Sequence, residues 1–343
     1  MTRHETVAGR QRPPPTGASR RGRAGRAAAD PSAEPAVVVT GICGRLGRLL
    51  LRKLHREARV VGIDRRPFPD APPDLVHYRI DLRRKACRDV FRRERIGAVV
   101  HLGVMHDPRL APEVHHTWNI EAFSKVLDYI AARGIPKLIV LSGAAVYGPR
   151  PQNPQFLSEQ APLLGAGRIS ELRDLVELDM LAQSFFWRAP ACETVILRPC
   201  FVAGSVRNEI HSYFRLPLTP TLLGFDPMMQ FVHEDDVVAV ILRTLGPGIR
   251  GIYNIAGPGV LPLSEAIRRV GRRSLPIPHF VARRVLDRLW RARLSDFPGR
   301  EIDFLRFICM VDDSRARREL GYEPSRTIDD ALAALRDGID EAR

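Results

Sequence analysis

Three glycines, Gly41, Gly44 and Gly47, stand three apart in the run Val37 to Gly47, Val-Val-Val-Thr-Gly-Ile-Cys-Gly-Arg-Leu-Gly. A β-branched run feeds them, and an apolar-periodic segment, Leu46, Leu49, Leu50 and Leu54, follows. This pattern predicts a strand, a tight loop and a helix start. The first turn of a helix offers unpaired N–H groups and the positive end of its dipole. Glycines at that turn let a diphosphate come close to the backbone. Gly41, Cys43, Gly44, Arg45, Leu46 and Gly47 are therefore candidate positions around a phosphate. An ordinary strand-to-helix turn would need no more than the glycines, so a second feature has to decide. Arg59 to Asp64 (Arg-Val-Val-Gly-Ile-Asp) reads as a second buried strand ending in an acid. Asp64 lies 17 residues after Gly47, near the ~20-residue offset of the acid that binds a ribose 2′-hydroxyl in dinucleotide sites. A carboxylate there repels a 2′-phosphate, which favours NAD over NADP. Arg65 and Arg66 follow at once and temper that preference.

These residues need elements to hold them. Strands are expected at 36–40, 59–63, 76–80, 97–102, 137–142 and 194–199, with helices near 46–56, 84–94, 113–133 and 169–187. The alternation predicts an α/β fold: a doubly wound parallel (Rossmann) sheet with a smaller C-terminal capping domain. Residues 36–200 are assigned to the dinucleotide-binding domain, with 231–247 returning to it. Residues 201–230 and 248–343 are assigned to the capping domain. Ligands of such sheets bind at the carboxyl ends of the strands. Asp81-Leu82, His101-Leu102-Gly103 and Ser142-Gly143 all fall at such ends.

Composition narrows the class. At 343 residues the chain can bury a large core. No apolar run reaches the ~18 residues of a membrane span. The five cysteines are scattered, with neither a metal spacing nor a disulfide framework, which points to a reducing cytoplasm and no metal site. Residues 1–35 carry seven Arg against three acids, +4 of the +14 charge. That segment reads as a disordered basic tail. No apolar run follows Ser19-Arg20-Arg21, which argues against export. The remaining Arg residues are spread over helix faces without an aromatic-basic stripe, so no nucleic-acid partner is expected.

The junctions carry a resemblance. The chain resembles the NAD-dependent epimerase/dehydratase family, the extended short-chain dehydrogenases, from about 36 to 335. Thr40 to Gly47 resembles its T-G-x-x-G-x-x-G loop. Asp81-Leu82 is similar to its adenine-contacting pair, and His101-Leu102-Gly103 to its H-L-A-A segment. Asn119 matches an Asn on the following helix. Ser142 to Gly148 resembles S-S-x-x-V-Y-G, and Ile196-Leu197-Arg198-Pro199 resembles I-L-R-P. Phe231 to Asp236 resembles F-V-H-V-D-D. Asp312 to Arg315 and Glu319 to Pro324 resemble the terminal D-x-S-K and E-L-G-W-x-P elements. The resemblance implies NAD as cofactor, with Leu102, Gly103, Asn119 and Pro199 joining Asp64, Arg65, Asp81 and Leu82 around it. It implies a small-molecule substrate such as a nucleotide sugar, and it leaves open a homodimer.

The departures bear on chemistry. Members that oxidise a sugar hydroxyl use a Tyr-x-x-x-Lys pair, in which the Lys lowers the Tyr pKa. The four lysines here are Lys53, Lys85, Lys125 and Lys137, so none lies on the 169–187 helix. One register puts Ile169 and Arg173 on the pair's positions, and another puts Glu171 and Leu175 there. The family's Ser/Thr position is Gly143, with Ser142 one residue early. Met229 stands where epimerases carry a diphosphate-gripping Arg, and Phe201 where they carry an Asn. Ser142, Tyr147, Glu171 and Arg173 remain the catalytic candidates. His106 lies near a position from which the family often contacts the cofactor.

Three readings stay open. The first is an epimerase/dehydratase-like oxidoreductase on a hydroxyl-bearing substrate. The second is a non-catalytic NAD-binding sensor or scaffold, which the missing Tyr and Lys favour. The third is a membrane-surface enzyme on an apolar or lipid-linked substrate. It would use the basic amphipathic stretch 279–294, with Val281, Val285, Leu286, Leu289 and Trp290 along one side. A helix packing that side on the capping core is the alternative.

Overall fold

The structure, a computed structural model, describes residues 34–104, 110–167, 170–292 and 299–341. Nearly all of the expected basic tail, His106 and Ile169 lie outside the described residues, as does the side chain of Glu171.

The first half alternates as its sequence predicts. In order come β1 (Ala36–Thr40), α1 (Arg45–Leu54), β2 (Val60–Asp64), β3 (Val76–Arg79), α2 (Lys85–Arg93) and β4 (Ile96–His101). Next are α3 (Pro112–His116), a wide π turn over Thr117–Glu121 and α4 (Ala122–Arg133), which together fill the single helix expected at 113–133. Then follow β5 (Lys137–Leu141), α5 (Ser170–Arg188) and β6 (Glu193–Pro199). β1 and β2 are buried along their whole length. Strands of a parallel sheet are covered on both faces, so they read as unbroken apolar runs.

The second half supplies both more sheet and the cap. It runs β7 (Phe201–Ala203), α6 (Glu209–Phe214), β8 (Leu218–Leu222), β9 (Met228–Met229), β10 (Phe231–His233), α7 (Glu234–Thr244) and β11 (Gly251–Ile255). β12 (Leu261–Pro262), α8 (Leu263–Arg269), β13 (Arg273–Ile277), α9 (His279–Arg291), α10 (Ser314–Leu320) and α11 (Ile328–Asp340) complete the described strands and α-helices.

Seven strands form the main sheet in the order β3-β2-β1-β4-β5-β6-β11, and every pairing in it is parallel. The assignment of 248–343 wholly to the cap is therefore corrected. β11 pairs with β6, Gly251 to Ile255 against Val195 to Pro199, and closes the sheet. Ala316, Leu320 and Tyr322 of the α10 region also pack on this domain, in one core with Val238 and Ile241 of α7. That core holds Val37 and Val39, whereas Ala36 and Val38 point into the opposite core with Phe91, Phe123 and Leu178. The side chains alternate because successive strand residues face opposite sides.

A third core belongs to the cap, around Tyr213, Phe214, Phe231, Ile267 and Leu335. Met229 is buried in it, so the residue at the diphosphate-gripping position serves packing. Helix α9 commits Ala282 and Leu286 to the same core. Its Arg283, Arg284 and Arg288 face solvent with Phe280. Among the described residues no helix is long and apolar enough to cross a membrane.

Candidate functional site

The chain turns outward in opposite directions from β1 and β4, and the crevice between them is the usual ligand position of such a sheet. A cleft of about 890 Å³ opens there, with Gly41, Leu102 and Gly103 on its lining. Gly41 has φ +73°, and a Cβ on it would come within 2.8 Å of Gly103 Cα and Leu102 O. A Cβ on Gly47 would lie 2.6 Å from Ile42 O. Any larger residue at 47 would push α1 off the loop. Gly44 caps α1 without a side-chain bond, and no acid stands in the helix's first turn. The orphan N–H groups of that turn are left for a ligand, and an anion suits them. The residues present thus fit a dinucleotide's diphosphate.

At the next station Asp64 is nearly saturated by its own chain. Its carboxylate accepts from Cys43 N at 3.1 Å, Arg66 N at 2.9 Å, Arg66 Nε at 3.1 Å and Arg66 Nη2 at 2.9 Å. Burial opposes ionisation of Asp64, but the Arg66 and Cys43 hydrogen bonds outweigh it and hold the carboxyl below its ordinary range. The Arg66 side chain is 54 % exposed, so it can yield its place to a ligand. Burial beside Asp64 pushes the Cys43 thiol up to about 11, and Cys43 stays protonated at neutral pH.

Asp81 is held in the same way, by Arg83 N at 3.0 Å and Arg83 Nη2 at 2.7 Å. The guanidinium groups of Arg65 and Arg83 lie over the Trp118 indole, 4.3 and 3.8 Å from its centre. Trp118 sits on the π turn, whose extra residue per turn offsets it from the flanking helices. Together with Ile80 and Leu82 it lines the cleft and makes a flat wall beside Asp81.

At the far end the polar groups are tied to one another, although Ser142 also lines the cleft. Ser142 donates its hydroxyl proton to Asp179 Oδ2 at 2.6 Å. Asp179 also accepts from Arg198 Nε at 2.9 Å and Nη2 at 2.6 Å, and both residues are buried. Arg198 Nη1 donates to Tyr147 Oη, which itself donates to Asn254 Oδ1, each at 2.8 Å. Burial pushes the Tyr147 phenol up to about 12, so it keeps its proton at neutral pH. Ser142 and Tyr147 thus belong to one buried network.

Helix α5 turns different faces to the cleft and to solvent. Leu172 and Leu175 are buried and line the cleft, whereas Arg173 is exposed and does not. Of the two registers, the face toward the cleft is the one that carries Leu175. Phe201, Phe304 and Cys309 bring further apolar surface from the capping side, and Arg207 and Glu209 bring charge.

The cleft gathers Cys43, Gly44, Arg45, Leu46, Gly47, Asp64, Arg65, Asp81, Leu82 and Pro199 with Gly41, Leu102 and Gly103. Asn119 is not among its lining residues. It is buried, and its amide reaches the Asp174 carboxylate of α5. Trp118, Phe304 and Cys309 were not foreseen in the cleft. Only Trp118 had a local signal, an aromatic beside the Asn that the resemblance singled out.

The profile of the NAD dependent epimerase/dehydratase family matches residues 37–256, more than half of the chain. An uncharacterized protein of Mycobacterium tuberculosis is 28% identical over 311 residues, covering 86% of this chain and 82% of its own length. The UDP-glucose 4-epimerase of Thermus thermophilus, crystallised with NAD, superposes with a TM-score of 0.70 at 18% identity, covering 90% of this chain and 100% of that one. The UDP-glucuronic acid 4-epimerase of Bacillus cereus, in complex with UDP-glucuronic acid and NAD, gives 0.69 at 17% identity with the same coverage. At such identities the two structures speak for the fold. With the profile match and the glycine loop at the switch point, they lead to one conclusion: the chain belongs to the NAD dependent epimerase/dehydratase family.

Proposed function

We propose that the cleft binds NAD and that the protein is an oxidoreductase acting on a hydroxyl-bearing substrate without a Tyr-x-x-x-Lys pair. One observation carries this reading. A single cleft joins the uncapped start of α1 and Asp64 to Leu175, Phe201 and Phe304 on the capping side. Bound NAD would supply a two-electron hydride acceptor. The α1 N–H groups hold its diphosphate, Asp64 reads the adenosine ribose, and Asp81, Leu82 and Trp118 flank the adenine. Gly143, Leu172 and Leu175 make an apolar floor that excludes water. Glu171 is the proposed proton acceptor by position alone, since it stands where the family has its Tyr. Phe201 and Phe304 suit an apolar substrate body, and Arg207 suits an anionic end. A nucleotide sugar, as held by the solved relatives, is one substrate of that description.

A second reading has its own support. Leu175 at the Lys position, with Ser142 and Tyr147 tied into the buried network, favours a protein that holds NAD without turnover. The two readings part in one experiment. NAD-loaded protein is incubated with nucleotide sugars and with apolar alcohols, and the absorbance of reduced nicotinamide is followed. Reduction with any member, lost in Glu171→Gln, supports the oxidoreductase. Bound cofactor with no reduction and no epimerised product across the panel supports the second reading.

A further inference from the structure

Outside the cleft, α3 and α5 bring together three side chains of metal-ligating type. His116 Nδ1 lies 3.4 Å from Asp174 Oδ1 and 3.8 Å from Glu177 Oε2. The three ligand atoms all lie within 4.8 Å of one another. These spacings are long for charge-assisted hydrogen bonds, which run about 2.7–2.9 Å. They match a shared cation instead. Bonds of about 2.0–2.1 Å at the tetrahedral angle set ligand atoms roughly 3.4 Å apart.

Asp174 gives a second, independent indication. It is 4 % exposed, and its Oδ2 is buried with no hydrogen-bond partner. The Asn119 amide reaches this carboxylate, but none of its described ion pairs is with a Lys or Arg; the cation beside it is His116, which is charged only when protonated. A buried carboxylate balanced by no Lys or Arg among its described ion pairs is costly, and a metal ion on its His116-facing oxygen would offset that cost.

We propose that His116, Asp174 and Glu177 form a binding site for a divalent transition metal of the Zn2+ class. The imidazole nitrogen selects this class over Mg2+ or Ca2+, which take oxygen ligands. Three protein ligands leave the fourth tetrahedral position to water. The ion ties α3 to α5, the helix that carries Leu172 and Leu175 into the cleft. The site uses none of the cleft's lining residues, so it stands or falls apart from the NAD reading.

The test uses untagged full-length protein, stripped with chelator and titrated calorimetrically with Zn2+ and separately with Mg2+. His116 and Glu177 side chains are 47 % and 43 % exposed, so His116→Ala and Glu177→Gln leave the core untouched. Saturable binding of Zn2+ that each variant weakens by at least about tenfold is expected, with little response to Mg2+. Co2+ in place of Zn2+ should add the visible absorption of tetrahedral cobalt, and both variants should lose it. Absence of saturable Zn2+ binding, or Zn2+ affinity unchanged in both variants, would overturn the proposal.

Discussion

Replacing Asp64 by Ala should change which cofactor the cleft prefers. The carboxylate is 7 % exposed and takes four hydrogen bonds from Cys43 and Arg66. A ribose 2′-hydroxyl can reach it once the Arg66 guanidinium steps aside. An ion pair whose partner is half exposed is worth about 0–1 kcal/mol, so that displacement costs little. A hydrogen bond to a charged acceptor contributes roughly 1.5–3 kcal/mol, or about 10- to 150-fold in affinity. Asp64→Ala should weaken NAD by that factor. NADP should respond differently, because the variant removes a negative charge beside its 2′-phosphate and frees Arg66 to pair with it. The NAD-to-NADP affinity ratio should therefore fall by at least about tenfold. Arg66→Ala should act in the opposite sense, weakening NADP and leaving NAD within a few fold. Equilibrium titration of both nucleotides against all three proteins measures the ratio, with circular dichroism to confirm folding. Equal loss of both nucleotides in Asp64→Ala would refute the assignment of Asp64 to the 2′-hydroxyl.

Three further outcomes follow from the geometry. Asp179→Asn strips the charge that neutralises buried Arg198, and breaking such a pair costs about 3–5 kcal/mol; urea denaturation should show it, and a loss under about 1 kcal/mol would contradict a structural role for the Ser142–Asp179–Arg198–Tyr147 network. Gly47→Ala places a Cβ 2.6 Å from Ile42 O; nucleotide binding should fall at least about tenfold as α1 shifts, and unaltered affinity would mean the helix start does not hold the diphosphate. His101 is fully buried, with Nδ1 2.8 Å from Thr40 Oγ1, and burial lowers its pKa to about 3. The unfolded chain binds that proton near pH 6.5 and the folded one does not, so its stability contribution is full above about 6.5 and is lost progressively toward about 3. Stability measured at pH 7.5 and 5 should drop, and His101→Gln should shrink the drop; an identical drop in the variant would reject this source.

The parts of the fold legible in the sequence were those written locally. The run Val37 to Thr40 announces a strand covered on both sides, and the glycine spacing announces the turn. What stayed hidden depended on packing between distant segments. The α5 register could not be chosen from periodicity, because Arg173 and Leu175 are separated only by which face meets Gly143. Leu175 Cδ2 lies 3.7 Å from where a Cβ of Gly143 would be, a contact that only the folded chain reveals. β11 is short, begins at a glycine and follows turn residues, so nothing local marks it as the seventh strand of the sheet. The hold of Arg66 on Asp64 is a matter of side-chain torsions, and the two residues read in sequence as a ribose reader followed by a charge that tempers the NAD preference. Phe304 and Cys309 reach the cleft only because the cap folds back over strands more than 100 residues earlier.

The central claim is that the half of the cleft built for a dinucleotide is intact while the half that would carry Tyr and Lys has been replaced by an apolar floor. Calorimetric titration of the purified, full-length protein with NAD tests it most directly. The account predicts saturable binding of one NAD per chain, abolished or greatly weakened in Gly47→Ala. Folded protein that takes up no NAD would contradict it.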